Sequence, residues 1–370
     1  MCRFFSISIL FIILIAVFSF STSAIDISAK HAYLCEFDTG SPVFSKNEDV
    51  RVGMASTTKI MTAIVAIENA SLDKVVKIPP EAVGIEGSSI YLQEGECLTF
   101  EDLLYALMLE SANDAAVAIA IATCGSVDSF VELMNQKATK LGLVSTHFTN
   151  PHGLDNEEHY TTAKELAIIA SYAMSNPTFA EIVSTQKRTI PLSDTGTRVL
   201  VNHNKLLKSY DGAIGIKTGF TKKCGRCLVS CAERDGVRMV CVTINAPSDW
   251  SDHQKMLDCG FSQYTNVKLA DSGDYILSLD VVNGAKSFVK CANFDNLSVT
   301  LKNDNINISA SLEANRLIPA PIKQGDFVGR IVFKNNNTEI ASLNLYALEN
   351  VKGLKYKKSL FERIFNNGKD

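Results

Sequence analysis

The sequence has no surplus of positive charge. Lys and Arg number 36 against 40 Asp and Glu, giving a formal net charge of -4 and a pI near 5.9. Without a bulk basic field to gather a polyanion, nucleic acid is not an expected partner. There is no internal repeat and no low-complexity tract, which excludes a solenoid or a disordered chain. Beyond the first residues, no stretch is long and apolar enough to span a bilayer. The cluster Cys224, Cys227, Cys231 lacks a second ligand pair at zinc spacing, so no metal or other cofactor is expected.

What is present fits a globular chain. At 370 residues, 46% hydrophobic and 21% charged, there is material for two domains with full cores. Arg3, the apolar run Phe4 to Phe20 and the small residues Thr22 and Ala24 form a signal-peptide pattern with cleavage after Ala24; an uncleaved anchor is the alternative. Loss of Cys2 with that leader leaves an odd number of the ten cysteines. Several of them stand in apolar strand-like runs, such as Cys241 between Val240 and Val242, so most are expected to be free thiols.

Residues 31 to 45 alternate around Asp38, Thr39 and Gly40, as a hairpin does. From Ser56 the text is apolar on nearly every face, which predicts a helix buried inside a domain with Ser56 at its N-terminus. Thr99 to Asp102 is a capping-box start for a helix ending near Ser111. Ser126 and Thr162 open two more, over 126 to 141 and 162 to 172. After Ile214 strands return, with Asp235-Gly236 as a two-residue hairpin between 228–232 and 237–244. Strands at both ends with helices between predict one sheet built from both termini. Short strand-like runs from about Val267 onward predict a separate small all-β domain.

Three short motifs carry chemistry. Ser-x-x-Lys occurs four times, at Ser56, Ser71, Ser184 and Ser287, and Ser-x-Asn three times, at Ser45, Ser111 and Ser342, while Lys-[Ser/Thr]-Gly occurs once, at Lys217 to Gly219. Only the Ser56 copy opens a buried helical pattern, where a spacing of three places Lys59 on the face of the Ser56 hydroxyl. Flanked by Ile60, Met61 and Ile64, that lysine is desolvated, and a neutral amine can act as general base. Ser111 and Asn113 fall in a loop between helical patterns, from which a hydroxyl and an amide reach a cleft. Lys217 opens a strand, where a cation holds a carboxylate and Gly219 lets an extended peptide approach. Taken singly, each has a plainer reading: a helix cap with a surface lysine, a second cap, a solvated strand-end lysine.

The order of the three motifs resembles the low-molecular-weight penicillin-binding D-alanyl-D-alanine carboxypeptidases, serine peptidases that share the three motifs of β-lactamases. The resemblance runs from about Lys30 to Phe261 and includes Ala55-Ser-Thr-Thr-Lys-Ile-Met-Thr-Ala63, Glu110-Ser-Ala-Asn-Asp-Ala-Ala116, Asn150-Pro-His-Gly-Leu154, His159-Tyr-Thr-Thr-Ala163 and Gly215-Ile-Lys-Thr-Gly-Phe-Thr221. It implies an α/β (α+β) penicillin-binding/β-lactamase-like transpeptidase fold, an antiparallel sheet flanked by a helical region. The expected division is a signal peptide at 1–24, a catalytic domain at 25–264, a β-domain at 268–350 and a basic amphipathic tail at 351–370 with peripheral membrane contact.

By the same resemblance Ser56 is the nucleophile, Lys59 its base and Ser111 a proton relay. Asn113, Lys217, Thr218 and Gly219 bind substrate, the latter cation and hydroxyl taking its carboxylate, and the backbone N–H groups of Ser56 and Phe220 form the oxyanion hole. The implied partners are peptidoglycan stem peptides and β-lactam antibiotics, met on the extracytoplasmic side of a bacterial membrane or in the wall. Some relatives carry an arginine after the last core strand, whereas Ser248 to His253 has none. His147, His152 and His159 are expected as hydrogen-bonded loop residues, not metal ligands. The competing readings are a D,D-endopeptidase using the same residues, a class A β-lactamase, which would need an absent Glu-x-x-Leu-Asn loop, and a penicillin-sensing or wall-binding module without turnover.

Overall fold

A computed structural model describes residues 25–192, 196–304, 306–315 and 317–354. The expected leader at 1–24 and the tail from residue 355 onward lie outside the described residues.

The hairpin appears as β1 (His31–Glu36) and β2 (Pro42–Lys46). A 3-10 turn, Ala55–Thr58, leads into α1 (Lys59–Asn69), whose residues from Lys59 to Ala66 are all buried. A helix with no polar face must be packed on all sides, and α1 is the centre of the larger core. A small ladder, β3 (Val75–Lys77) and β4 (Cys97–Thr99), precedes α2 (Phe100–Leu109). Thr99 caps α2 by accepting from the Asp102 N–H, a contact of about 1 kcal/mol. Next come α3 (Asn113–Cys124), α4 (Val127–Lys140) capped by Ser126, and α5 (Ala163–Met174) capped by Thr162.

Weaker sequence signals left several elements unexpected, among them α6 (Pro177–Ser184), the hairpin β5 (Lys187–Leu192) and β6 (Gly196–Val201), and the short α7 (Leu206–Ser209). The chain then lays down β7 (Ala213–Thr221), β8 (Gly225–Arg234) and β9 (Val237–Ile244). Asp235 and Gly236 both have positive φ, as a type I′ turn between β8 and β9 requires. The main sheet runs β2-β1-β9-β8-β7, antiparallel throughout. His31 pairs with Ile244, so the two ends of the domain meet in one sheet. The edge strand is β7, which carries Lys217 to Gly219.

α8 (Asp249–Gln263) covers the outer face of this sheet, with Met256 and Leu257 packed on Leu34, Leu228 and Cys241. It runs directly into β10 (Tyr264–Ala270), which pairs with β13 (Leu297–Lys302). With β11 (Ile276–Val282), β12 (Phe288–Ala292), β14 (Ile308–Glu313), β15 (Ile318–Pro319), β16 (Phe327–Asn335) and β17 (Thr338–Ala347), the C-terminal part forms a six-stranded sheet in the order β14-β16-β17-β12-β11-β15. Its core is its own, built from Leu279, Val289, Ile331, Phe333 and Leu345. Among the described residues no single helix is long and apolar enough to cross a membrane.

His253, fully buried on α8, lies 2.6 Å from Ser230 Oγ on β8 and 3.0 Å from Thr243 Oγ1 on β9. Burial pushes its pKa from 6.5 down to about 3, so the unfolded chain binds the proton more readily than the folded one. Its contribution to stability is therefore complete above about pH 6.5 and is lost as the pH falls toward 3. Melting temperatures should hold near neutrality and decline on acidification from pH 6.5 to 4, with a shallower decline in His253→Gln. A variant whose slope equals that of the wild type would remove His253 from the account.

Candidate active site

The turn at Ala55–Thr58 is shaped to expose Ser56 at the head of α1. Ala55 sits at φ 49°, and Thr57 and Thr58 tie the turn down by donating from their hydroxyls to Met54 O (2.6 Å) and Ala55 O (2.8 Å). The loop Asn150 to Leu154 presses against it. A Cβ on Gly153, which is at φ +92°, would stand 2.0 Å from Ala55 O, so no other residue fits there. Thr62 Oγ1 donates to Pro151 O at 2.6 Å, fastening the same loop to α1.

Lys59 is buried among three oxygens. Its Nζ lies 3.1 Å from Ser56 Oγ, 2.6 Å from Asn113 Oδ1 and 2.6 Å from His152 O. Burial first, and the nearby Lys217 second, hold its pKa well below 10.5, with Asp114 opposing. The contact set suits a neutral amine. Asn113 Oδ1 and the His152 carbonyl can only accept, so they take its two N–H groups, and the lone pair is left for the Ser56 hydroxyl.

Asn113 begins α3 and is fixed from both ends of its amide: Oδ1 accepts from Lys59, and Nδ2 donates to Glu86 O at 2.5 Å. One Nδ2 hydrogen remains for a substrate carbonyl. Expected from sequence as a substrate contact, Asn113 is here also the residue that holds Lys59. Ser111 occupies the three-residue gap between α2 and α3 at φ +61°, and its buried Oγ has no hydrogen-bond partner among the described residues. That leaves the hydroxyl free to pass a proton within the cleft. Asp114, which the sequence reading did not single out, accepts from Ser89 Oγ, Ile90 N and Leu92 N and so pins the loop before β4 to the start of α3.

Lys217 is buried on β7, its Nζ donating to Thr218 O at 3.0 Å, and burial lowers its pKa to about 7. Gly219 lets the edge strand close on the nucleophile: an added Cβ would lie 3.1 Å from Ser56 N. The Ser56 amide and β7 thus meet at one point, where an oxyanion hole from Ser56 and Phe220 would be built. Ser56, Ser111, Thr218, Gly219 and Phe220 all line a cleft of about 380 Å³. Arg226, Asp249 and Trp250 also line it, and the sequence reading missed all three as site residues because their neighbours along the chain give no motif.

The three histidines are hydrogen-bonded in loops. His159 Nδ1 accepts from Thr149 N at 3.0 Å and its Nε2 meets Thr58 Oγ1 at 2.7 Å, which continues to Ala55 O. His152 Nδ1 accepts from Leu154 N, and His147 Nδ1 contacts Glu158 O. Burial lowers His152 to about 3 and His159 to about 4, so both are neutral at pH 7. All nine described cysteines are free thiols, and no metal-binding group of His, Cys, Asp and Glu occurs among the described residues.

The chain matches the D-alanyl-D-alanine carboxypeptidase family, Peptidase S11, over residues 18–248 and the C-terminal domain of penicillin-binding protein 5 over residues 264–353. It is 33% identical over 341 residues to D-alanyl-D-alanine carboxypeptidase DacF of Bacillus subtilis, covering 90% of this chain and 88% of that protein. Among solved structures it is similar to a peptidoglycan synthesis regulatory factor of Streptococcus pneumoniae, with a TM-score of 0.75, 26% identity and coverage of 88% and 100% of the two chains. It is also similar to the DD-transpeptidase of Streptomyces K15, with a TM-score of 0.61, 36% identity and coverage of 64% and 98%. A buried Ser–Lys pair at the head of a core helix, an edge strand carrying Lys-Thr-Gly beside it and these matches along nearly all of the described chain have one meaning: the protein belongs to the D-alanyl-D-alanine carboxypeptidase family of serine peptidases.

Proposed function

We propose that the protein removes the terminal D-alanine from peptidoglycan pentapeptides through an acyl-enzyme on Ser56. The observation that carries this reading is the contact of 3.1 Å between Lys59 Nζ and Ser56 Oγ, made by a lysine whose other two contacts are acceptors.

In the first half-reaction Ser56 Oγ attacks the carbonyl of the penultimate D-alanine while its proton passes to Lys59 Nζ. The oxyanion is met by the N–H groups of Ser56 and Phe220. Collapse breaks the peptide C–N bond, and the leaving D-alanine amine receives a proton through the Ser111 hydroxyl. Water then attacks the ester, Lys59 again taking the proton, and releases the shortened peptide with a new carboxylate and Ser56 restored. Lys217 and Thr218 hold the terminal carboxylate of the substrate, and Gly219 admits its extended backbone along β7. A β-lactam enters the same path because its strained amide and carboxylate resemble the acyl-D-alanyl-D-alanine end.

Such a substrate places the enzyme on the extracytoplasmic side. The finer location rests on the tail: Leu354, Leu360, Phe361, Ile364 and Phe365 stand among Lys352, Lys355, Lys357, Lys358 and Arg363, a composition suited to an anionic membrane surface. Flotation with anionic vesicles should capture the mature chain and lose a version ending at Glu349; equal flotation of both ends that idea.

Ser56→Ala should abolish D-alanine release and penicillin labelling, and Lys59→Ala should reduce both by about 10³-fold, the scale of a lost general base. Lys217→Ala should lower kcat/KM by about 10- to 100-fold, as expected for a lost charge-assisted contact. Mass spectrometry of the tryptic peptides should place a stoichiometric penicillin adduct on Ser56. An adduct on another residue, or release that survives Ser56→Ala, contradicts the assignment.

A further inference from the structure

The loop that supplies an acceptor to Lys59 is a rigid piece. Asn150 closes it on itself: Oδ1 accepts from His152 N at 3.3 Å and from Gly153 N at 2.7 Å, while Nδ2 donates to Leu154 O at 3.0 Å. A segment braced in this way moves as a unit, so whatever fixes its end also fixes His152 O, 2.6 Å from Lys59 Nζ. That end is Asp155.

Asp155 is exposed, yet one of its oxygens takes two donors from another part of the chain. Thr221 Oγ1 donates to Oδ1 at 3.0 Å and Cys224 Sγ donates to it at 3.3 Å. Both donors belong to the turn between β7 and β8, and Thr221 Oγ1 in its turn accepts from Cys224 N at 3.0 Å, so the acid and the turn form one closed unit. Thr221 directly follows Phe220, whose N–H is assigned to the oxyanion hole. The sulfur reaches a third segment. A Cβ on Gly53 would stand 2.6 Å from Cys224 Sγ, so the thiol fills the space a side chain there would need, and the Ala55 backbone, next to the nucleophile, acts on the same sulfur. Burial pushes the thiol pKa up, which keeps its proton in place for Asp155 at neutral pH.

Asp155 and Cys224 line a cavity of about 360 Å³ together with Arg51, Gly53, His159 and Lys223, and none of the residues around it lines the substrate cleft. The contact therefore works from outside the cleft. Its three ends are the loop with His152 O, the end of β7 and the turn that presents Ser56.

We propose that Asp155 and Cys224 are positioning residues whose contact clasps these three segments together and so sets the placement of Ser56 against its base and its oxyanion donors. The inference rests on Ser56 as the nucleophile of the carboxypeptidase reading and deepens it by naming what holds that nucleophile in register. Both donors to Asp155 are neutral, so the acid serves as an acceptor, a capacity that an asparagine keeps at Oδ1. Opening the clasp frees the loop to carry His152 O away from Lys59 and lets water approach the amine. A hydrated amine regains its ammonium form, and its pKa climbs back toward 10.5.

The test reads D-alanine release and penicillin acylation in the full mature chain. In Asp155→Ala, kcat should fall about 10- to 100-fold with KM within about twofold, and the acid limb of acylation should move to higher pH by about one unit, a shift that lost stability alone does not give. Asp155→Asn should recover most of both losses and guards against an alanine variant that melts early. Cys224→Ala should change both readouts in the same direction. The double variant Asp155→Ala/Cys224→Ala should fall no more than about twofold below Asp155→Ala, because the two substitutions remove the same contact. Losses that multiply in the double variant overturn the inference, as does an Asp155→Ala enzyme with the wild-type kcat and acid limb. A rise in KM with kcat intact, the mark of a substrate contact, overturns it too. Acylation is read apart from D-alanine release, so a wild-type enzyme that takes penicillin on Ser56 and releases no D-alanine overturns the carboxypeptidase reading, while the acylation rates of the variants still decide the clasp.

Discussion

Everything near the nucleophile depends on keeping one lysine amine dry. An ammonium buried as deeply as Lys59 loses several kcal/mol of hydration, and the chain answers this not with a carboxylate partner but with two neutral acceptors and a hydroxyl. A carboxylate in contact would have restored the charge and removed the base. Asp114, the acid that does act on Lys59, is itself occupied by Ser89 and the amides of Ile90 and Leu92, and its pull is outweighed by burial and by Lys217.

That arrangement sets the construction of the surrounding fold. The acceptors for Lys59 come from the head of α3 and from the loop after α4, so both must reach the head of α1. Gly153 permits the loop to touch Ala55 O, Thr62 holds it by Pro151, and the His159–Thr58–Ala55 chain fixes the turn from the other side. Across the cleft, Gly219 lets β7 approach the same turn. The main sheet then does two jobs: its edge supplies Thr218 to the cleft with Lys217 buried behind it, and its outer face seats α8, whose first residues Asp249 and Trp250 line the same cleft.

The parts legible in the sequence were those in which chemistry and local structure coincide. Ser56 and Lys59 are three residues apart, Ser111 and Asn113 two, Lys217 to Gly219 consecutive; the first two groups stand where helices begin, whereas Lys217 to Gly219, expected at the start of a strand, lie in the middle of β7. The hairpin at Asp235-Gly236 and the caps at Thr99, Ser126 and Thr162 were readable for the same reason. α8 was not, because its first turn reads Asp-Trp-Ser-Asp-His, with few apolar positions until Met256. The second function of Asn113, holding Lys59, was equally hidden, since nothing in the spacing says which end of an amide faces which partner. β14, an edge strand exposed along nearly its whole length, has no buried face to impose a readable alternation.

The central claim is that Lys59 is a neutral base at working pH, and the pH dependence of Ser56 acylation tests it most directly. The second-order rate of penicillin acylation, followed by stopped flow, should rise with pH along an acid limb well below 10.5 and then level off, because deprotonation of the buried amine is complete there. A rate that continues to climb tenfold per unit toward pH 10.5 would show an ordinary, solvated lysine and would contradict the account.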